Sequence, residues 1–333
     1  MAEFDLINQY FKPPCSARND VLLGIGDDCA LLSVPPDKAL AVSTDTLISG
    51  VHFPHGTMPE DIGYKALAVN LSDLAAMGAE PAWASLAISL PTADKRWVEQ
   101  FMQGFNPLAA QYNLVLVGGD TTQGVLSITV NIYGFVNEKK ALKRSNASAG
   151  DLIFITGTLG DAGAGLDAVL NAERYNIPVD DTLRHCINRL NRPEPRIRAG
   201  LLLTQLSQIA AIDISDGLLV DLKHICEASQ TGAIIHLDKI PLSDTLAGHY
   251  QKRPGGQQPD WQAITCAGDD YELCFSCPEY QVDEMNKVFE AQDISLTQIG
   301  KMTSSNKIEC FDKAGIRQNL PLTGYTHFTH EKQ

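Results

Sequence analysis

Four stretches of the chain repeat one design: an apolar run that reads as a strand, then glycine, serine or threonine, then aspartate. They are GIGDDCAL (Asp27, Asp28), AVSTDTLISG (Asp45), VLVGGDTTQG (Asp120) and AIDISDGL (Asp213, Asp216). Taken singly, GIGDD is an ordinary turn: Gly24 and Gly26 supply the bend, and aspartate is a common turn residue. Adjacent carboxylates repel each other, however, and the design recurs. A further carboxylate, Asp73, falls inside the helical pattern YKALAVNLSDLAAMGA, flanked by Leu71, Leu74 and Ala75. A charge placed there needs a cation or several hydrogen-bond donors.

The residue types narrow the chemistry. These seven aspartates, with the hydroxyls of Ser43, Thr44 and Thr121 nearby, make an oxygen-rich set that contains neither His nor Cys. That argues against zinc or copper and for magnesium, which usually bridges protein carboxylates to substrate phosphates. The formal net charge is −14, which disfavours nucleic acid and anionic membranes as partners. It also means that a phosphorylated ligand must be neutralised by something other than lysine and arginine. The familiar nucleotide motifs are missing. Gly300-Lys301 is followed by Met302 and lacks the upstream glycine of a phosphate loop, and no H-R-D or D-F-G set occurs. The stretch GTLGDAGAG does not satisfy G-x-G-x-x-G. It reads as tight packing at a strand-to-helix turn, although helix N-termini of this kind also bind phosphate.

At 333 residues, 44% hydrophobic and 20% charged, the chain is globular and long enough for two domains. Strand patterns lie at 21–25, 39–44, 83–90, 114–119, 127–136 and 210–215. Helical patterns lie at 58–78, where Thr57 and Glu60 have capping-box spacing and Pro59 suits the first turn, and at 95–112. The polar segment NEKKALKRSNASAGD marks a boundary: the reading is an α/β (α+β) chain with domains at 1–138 and 149–333 and a linker at 139–148. A long polar insertion is expected around 242–262. No apolar stretch reaches transmembrane length and the N-terminus does not read as a signal peptide, so the chain is read as cytoplasmic. The eight cysteines are scattered; the pair Cys274-x-x-Cys277 lacks the second pair of a zinc site and reads as buried thiols.

The motifs GIGDDCAL, STDTLISGVHF, YKALAVNLSDLAAMGAEP, GGDTT, RSNASAGD, TGTLGDAGAGL, IDISDGL and GDDYELCF, in this order, closely resemble the thiamine-monophosphate kinase family, over about residues 4 to 328. That family belongs to the superfamily of aminoimidazole-ribonucleotide synthetase and selenophosphate synthetase. The resemblance implies a two-domain aminoimidazole-ribonucleotide synthetase-like fold and a homodimer whose N-terminal sheets pair across the interface. It implies ATP-dependent, Mg2+-assisted, direct in-line phosphorylation of thiamine monophosphate to thiamine diphosphate, the last step of thiamine diphosphate biosynthesis, with no nucleophile or base on the protein. Carried over by motif, Asp28, Ser43, Thr44, Asp45, Asp73, Asp120, Asp213 and Asp216 bind several magnesium ions. Gly119, Asp120, Arg144 and Ser215 contact ATP, and His52, Asp269 and Tyr325 contact thiamine monophosphate.

The chain departs from the family at AGDDYEL, where GGEDYEL is usual: Asp269 stands for glutamate and Ala267 for glycine. By itself His52 is an ordinary loop histidine and Arg144 an exposed turn arginine; Tyr325 lies in a loop where an aromatic ring can stack on a thiazolium or pyrimidine. His55, His327 and His330 read as surface residues. Two other functions compete. One is another ATP-using synthetase of the superfamily; Cys15 in FKPPCSARND lacks the glycine-rich setting of the selenophosphate enzymes. The other is a non-catalytic nucleotide-binding protein, against which all seven aspartates stand.

Overall fold

The computed structural model describes residues 10–11, 18–252 and 258–325. Cys15, His327 and His330 therefore lie outside the described residues. The chain divides into two compact units, Met1–Ala141 and Leu142–Gln333.

The first unit opens with a short hairpin, β1 (Val21–Leu23) and β2 (Leu31–Leu32). Strand β3 (Ala39–Ile48), helix α1 (Pro59–Met77), strand β4 (Glu80–Leu90), helix α2 (Lys95–Gln111), and strands β5 (Val115–Gln123) and β6 (Ser127–Val136) follow. The four long strands form one sheet in the order β3-β6-β4-β5. Only β4 and β5 run parallel. Side chains alternate across a strand. Along β3 this puts Val42, Thr44, Thr46 and Ile48 in solvent and Ser43, Asp45 and Leu47 on the α1 side, where Leu47 is buried.

Asp45 and Asp120 do not end their strands, contrary to the sequence reading. The β3 ladder with β6 runs unbroken from Ala39 opposite Val136 to Ile48 opposite Ser127, and β5 pairs with β4 through Gln123 opposite Leu90. Both are edge strands. Backbone pairing along an edge continues without apolar side chains, so polarity gave the wrong stopping point.

Helix α1 matches its pattern within a residue, but the capping box does not form. Met58 is the N-cap and contributes no side-chain bond, while the Thr57 backbone N–H donates to Pro54. Gly78 closes the helix in the left-handed region at φ 64°. Helices α1 and α2 approach backbone to backbone. A Cβ on Gly63 would lie 2.0 Å from the Phe101 carbonyl oxygen, and one on Gly104 1.8 Å from that of Glu60. At the other end of the sheet Trp83 packs edge-on against Phe135 at 5.0 Å. The Trp83 indole N–H donates to Asp20, which also takes the forked guanidinium of Arg18.

The second unit begins with a 3-10 turn, Arg144–Asn146. Asn146 donates to the carbonyl of Ile209, and Ser229 links the Arg144 carbonyl to the Ala147 N–H. Its strands are β7 (Leu152–Thr156), β8 (Ala210–Asp213), β9 (Gly232–His236), β10 (Leu273–Cys277), β11 (Leu296–Thr303), β12 (Ile308–Phe311) and β13 (Arg317–Gln318). They form a sheet in the order β13-β12-β9-β11-β7-β10-β8. Helices α3 (Asp161–Tyr175), α4 (Arg184–Asn191), α5 (Ile197–Leu203), α6 (Leu218–Ser229), α7 (Asp244–Lys252), α8 (Trp261–Cys266) and α9 (Val282–Glu290) connect them. The polar insertion contains α7 and leads into α8, with 253–257 outside the described residues. Cys274 and Cys277 are buried free thiols on β10, and burial pushes the Cys277 thiol up to about 12. No described helix is long and apolar enough to cross a membrane.

The glycine contact between α1 and α2 yields a test with a definite sign. In an open helix Gly→Ala stabilises by ~1 kcal/mol; at Gly104 the new methyl meets backbone that cannot move independently, and overpacking costs about 1–3 kcal/mol or more. Gly104→Ala is expected to lower the urea midpoint, with a net loss of about 2 kcal/mol. A variant as stable as the parent would show that the helices separate freely.

Candidate functional site

In the first unit the site residues gather where α1 crosses β3. The Ser43 hydroxyl donates to Asp73 through a very short hydrogen bond. One turn earlier, Asn70 accepts from the Asp45 backbone N–H at 3.2 Å, and its own amide is anchored on Ala66. Ser43, Asp45, Asn70 and Asp73 therefore form one oxygen-lined cluster, of which Asn70 was not singled out from sequence. The Thr44 hydroxyl is not part of it: it donates to Asn131 on the opposite face of the sheet.

Asp120 stands elsewhere in the same sheet. Asp45 pairs with Val130, Val130 with Leu86, and Leu86 with Gly119. Gly119 shares that row, and Asp120, one residue on, points to the other face. Strands β3 and β5 are separated by β6 and β4, about 14 Å at the usual strand spacing. One ion cannot touch both carboxylates within this sheet. Gly119 also has a packing role, since a Cβ there would lie 1.9 Å from the Leu86 carbonyl oxygen. Asp28 is exposed in the loop after β1, its N–H held by the Asp27 carboxylate at 2.9 Å. The loop after β3 holds His52, whose Nδ1 accepts the Ile48 N–H at 3.0 Å, so that the neutral ring carries its proton on Nε2. Buried Lys65 donates to the His52 carbonyl. His55 is exposed, as expected, and its Nδ1 meets the Ser49 hydroxyl.

In the second unit three loops meet at the C-terminal end of β8. The Asp269 N–H donates to the Ser215 carbonyl, Tyr271 to Ile214, and Tyr325 to Asp216. Asp213, Ser215, Asp216, Asp269 and Tyr325 are thereby brought together. Arg144 is not. Its carbonyl is bound at Ser229, the last residue of α6, whereas Ser215 precedes the first turn of that 12-residue helix, about 18 Å away.

The amides of these loops are already used. The Asp221 carboxylate accepts the N–H groups of Ser215, Asp216 and Gly217 at 3.0, 3.1 and 3.1 Å, closing the start of α6. Burial pushes Asp221 up to about 7, against those donors and with the Asp216 charge. The start of α3 is closed in the same way: Asp270 accepts the N–H groups of Gly160 and Ala162. The GTLGDAGAG turn therefore presents a carboxylate where a phosphate would sit, and its packing reading holds. A Cβ on Gly163 would lie 2.5 Å from the Cβ of Ala267, so the Ala267 methyl is accommodated by a glycine opposite. Next to Asp270, Glu272 is fully buried. It takes the Arg196 fork at 2.5 and 2.6 Å, Arg189 at 2.8 Å and the Thr156 hydroxyl at 2.6 Å. None of Asp221, Asp270, Glu272, Arg189 or Arg196 was named from sequence; only their contacts in the folded chain, which no single-residue signal carries, mark them.

Among the described residues no group of three or more His, Cys, Asp and Glu stands ready to hold a metal alone. The donor sets fit magnesium nonetheless, because this ion takes one or two carboxylates and completes its shell with water and phosphate oxygens. The Asp45–Asp73–Ser43 cluster and the Asp213–Asp216 loop both offer oxygen ligands of that kind.

The chain matches the family profiles of the AIR synthase related proteins. The N-terminal domain profile covers residues 26–136 and the C-terminal domain profile residues 148–313. It is 46% identical to the thiamine-monophosphate kinase of Escherichia coli K12 over 98% of both chains. It is 42% identical to that of Haemophilus influenzae over 100% of this chain and 99% of the relative. A crystal structure of thiamine-monophosphate kinase from Stenotrophomonas maltophilia superposes with TM-score 0.79 at 43% identity, covering 88% of this chain and 92% of that one. A solved AaThiL complex with AMPPCP and TMP gives 0.76 at 31% identity, covering 91% and 92%.

Burial pushes the Asp270 carboxyl up to about 8, against the Gly160 N–H and Arg189, with Asp161 adding to the rise. Below about pH 4 the group is neutral folded or unfolded. From there to about 8 only the unfolded chain is ionised, so stability from this group falls as pH rises. Asp270→Asn removes that dependence. The difference in melting temperature, variant minus parent, is expected to become more positive between pH 5 and pH 9 (about the window bracketed above). A difference independent of pH would show that Asp270 is ionised when folded.

Proposed function

Because the chain belongs to the AIR synthase related family, and within it to the thiamine-monophosphate kinases, we propose that it transfers the γ-phosphoryl group of ATP to thiamine monophosphate, giving thiamine diphosphate and ADP. Full-length identity to curated kinases of this reaction carries the reading. The chemistry of the site agrees with it. No base is needed, since a phosphate acceptor has its second pKa near ~6 and is largely ionised at neutral pH. The transfer is direct and in-line, and the chain's own residues supply alignment. Magnesium would be held by Asp45 and Asp73 with Ser43 in the first unit and, separately, by Asp213 and Asp216 in the second, and would supply charge neutralisation at the phosphates. Asp28, Thr44 and Asp120, separate from the Asp45–Asp73 cluster in the fold, would serve further ions. Gly119, Asp120, Arg144 and Ser215 contact ATP; His52, Asp269 and Tyr325 contact thiamine monophosphate. The seven cysteines in the described residues are free thiols, in keeping with the reducing cytoplasm.

The same reading includes a homodimer. Edge strand β3 is ten residues long and exposes Leu40, Val42 and Ile48, an edge that a solitary chain would be expected to blunt. Sedimentation is expected to give a dimer at micromolar concentration; a monomer there would overturn it.

Incubation with ATP and thiamine monophosphate is expected to yield thiamine diphosphate and ADP in equal amounts. ADP produced only with another acceptor would refute the kinase reading. Asp45→Asn keeps the volume and removes the charge. Turnover is expected to fall on the order of a hundredfold, ~3 kcal/mol, while the ligand-free melting temperature holds or rises as carboxylate repulsion is relieved. Near-normal turnover would remove Asp45 from the site, and a collapsed melting temperature would make it structural.

A further inference from the structure

The loop between α8 and β10 holds two non-glycine residues in the left-handed region, Asp269 at φ 69° and Tyr271 at φ 50°. Such backbone is strained and persists only where its surroundings over-determine it. Here they do so by alternation. Asp270 and Glu272 turn inward and are buried at 1% and 0% exposure, whereas Asp269 and Tyr271 remain partly exposed. The peptide between the two left-handed residues carries the Asp270 carbonyl. One Arg189 nitrogen donates to that carbonyl at 3.0 Å and to the Glu272 carboxylate at 2.8 Å. Arg189 comes from α4 and its side chain is 13% exposed. Through these two bonds it ties the strained peptide directly to Glu272.

We infer that Arg189 is a positioning residue for the thiamine monophosphate site: by clamping the Asp270 carbonyl to Glu272 it fixes the backbone that presents Asp269. The inference rests on the proposed contact of Asp269 with that substrate. It also addresses the shorter acid in this chain. Asp269 has one methylene fewer than the family glutamate, so its reach is set by the backbone more than by side-chain rotamers. Arg189 is separable from the fold because Glu272 keeps the Arg196 fork and Thr156 when it is removed.

The test is the split between KM and kcat for both substrates in Arg189→Met, Arg189→Lys and Asp269→Ala. Arg189→Met is expected to raise KM for thiamine monophosphate about tenfold, with kcat and the KM for ATP within about twofold of the parent. Arg189→Lys, which keeps a charged donor, is expected to fall between, and it stands in should Arg189→Met not fold. Hydrogen exchange at the Asp269 amide is expected to accelerate in the same order. If Asp269→Ala raises KM for thiamine monophosphate but the Arg189 variants do not, Arg189 is merely structural and the inference falls alone. If both KM values rise together in the Arg189 variants, the damage is general and the positioning role is overturned. If Asp269→Ala leaves KM unchanged, the assignment of Asp269 falls and takes the inference with it.

Discussion

Two helices of the second unit begin against the chain's own carboxylates, and most of what surrounds the site follows from that interaction. A helix N-terminus carries unpaired amides, which a carboxyl group placed there satisfies as a hydrogen-bond acceptor, even where burial keeps that group from ionising. Asp221 fills the start of α6 and Asp270 the start of α3. Each draws a loop inward: the Ser215–Gly217 amides wrap Asp221, and the loop bearing Asp269 is pulled down by its neighbour Asp270. The same bonds have a second effect. The amide cradles that many nucleotide enzymes use for phosphate are here occupied by the carboxyl groups of Asp221 and Asp270. With a net charge of −14, the proposed reaction would leave the neutralisation of substrate phosphates to cations brought from outside.

The carboxylates accordingly divide into two populations. Asp221, Asp270 and Glu272 are buried and satisfied by the protein's own donors. Their value lies in geometry rather than stability. A buried ion pair returns little net free energy, although removing one partner costs ~3–5 kcal/mol. Asp28, Asp120, Asp216 and Asp269 keep contact with solvent, as do Asp45 and Asp73 beside Ser43, whereas Asp213, proposed with Asp216 as a metal ligand, is buried at the end of β8.

Much of this was legible in the sequence, and the rest was hidden for identifiable reasons. Strand β6 and helices α1 and α2 lie where periodicity placed them, because each buries a face whose apolar residues recur at the period of the element. Strands β3 and β5 run four residues beyond their apolar stretches, which made Asp45 and Asp120 look terminal. The motifs named the aspartates but not their partition. That Asp45 and Asp120 belong to different clusters follows only from the strand order. Asn70, Asp221 and Arg189 were invisible because their role is a contact with a residue distant in sequence or with backbone, which composition and spacing do not encode.

On the proposed function, ATP binding by this acidic protein depends on divalent cations more than on its own amides and its one assigned basic contact, Arg144. Calorimetric titration of ATP into the protein, with magnesium and then with excess chelator, tests it most directly. Affinity is expected to fall by roughly a hundredfold or more without the metal, ~2.7 kcal/mol of binding free energy. ATP bound equally well in chelator would contradict it, because the two helix N-termini closed by Asp221 and Asp270 would then not be the obstacle to phosphate that the structure makes them.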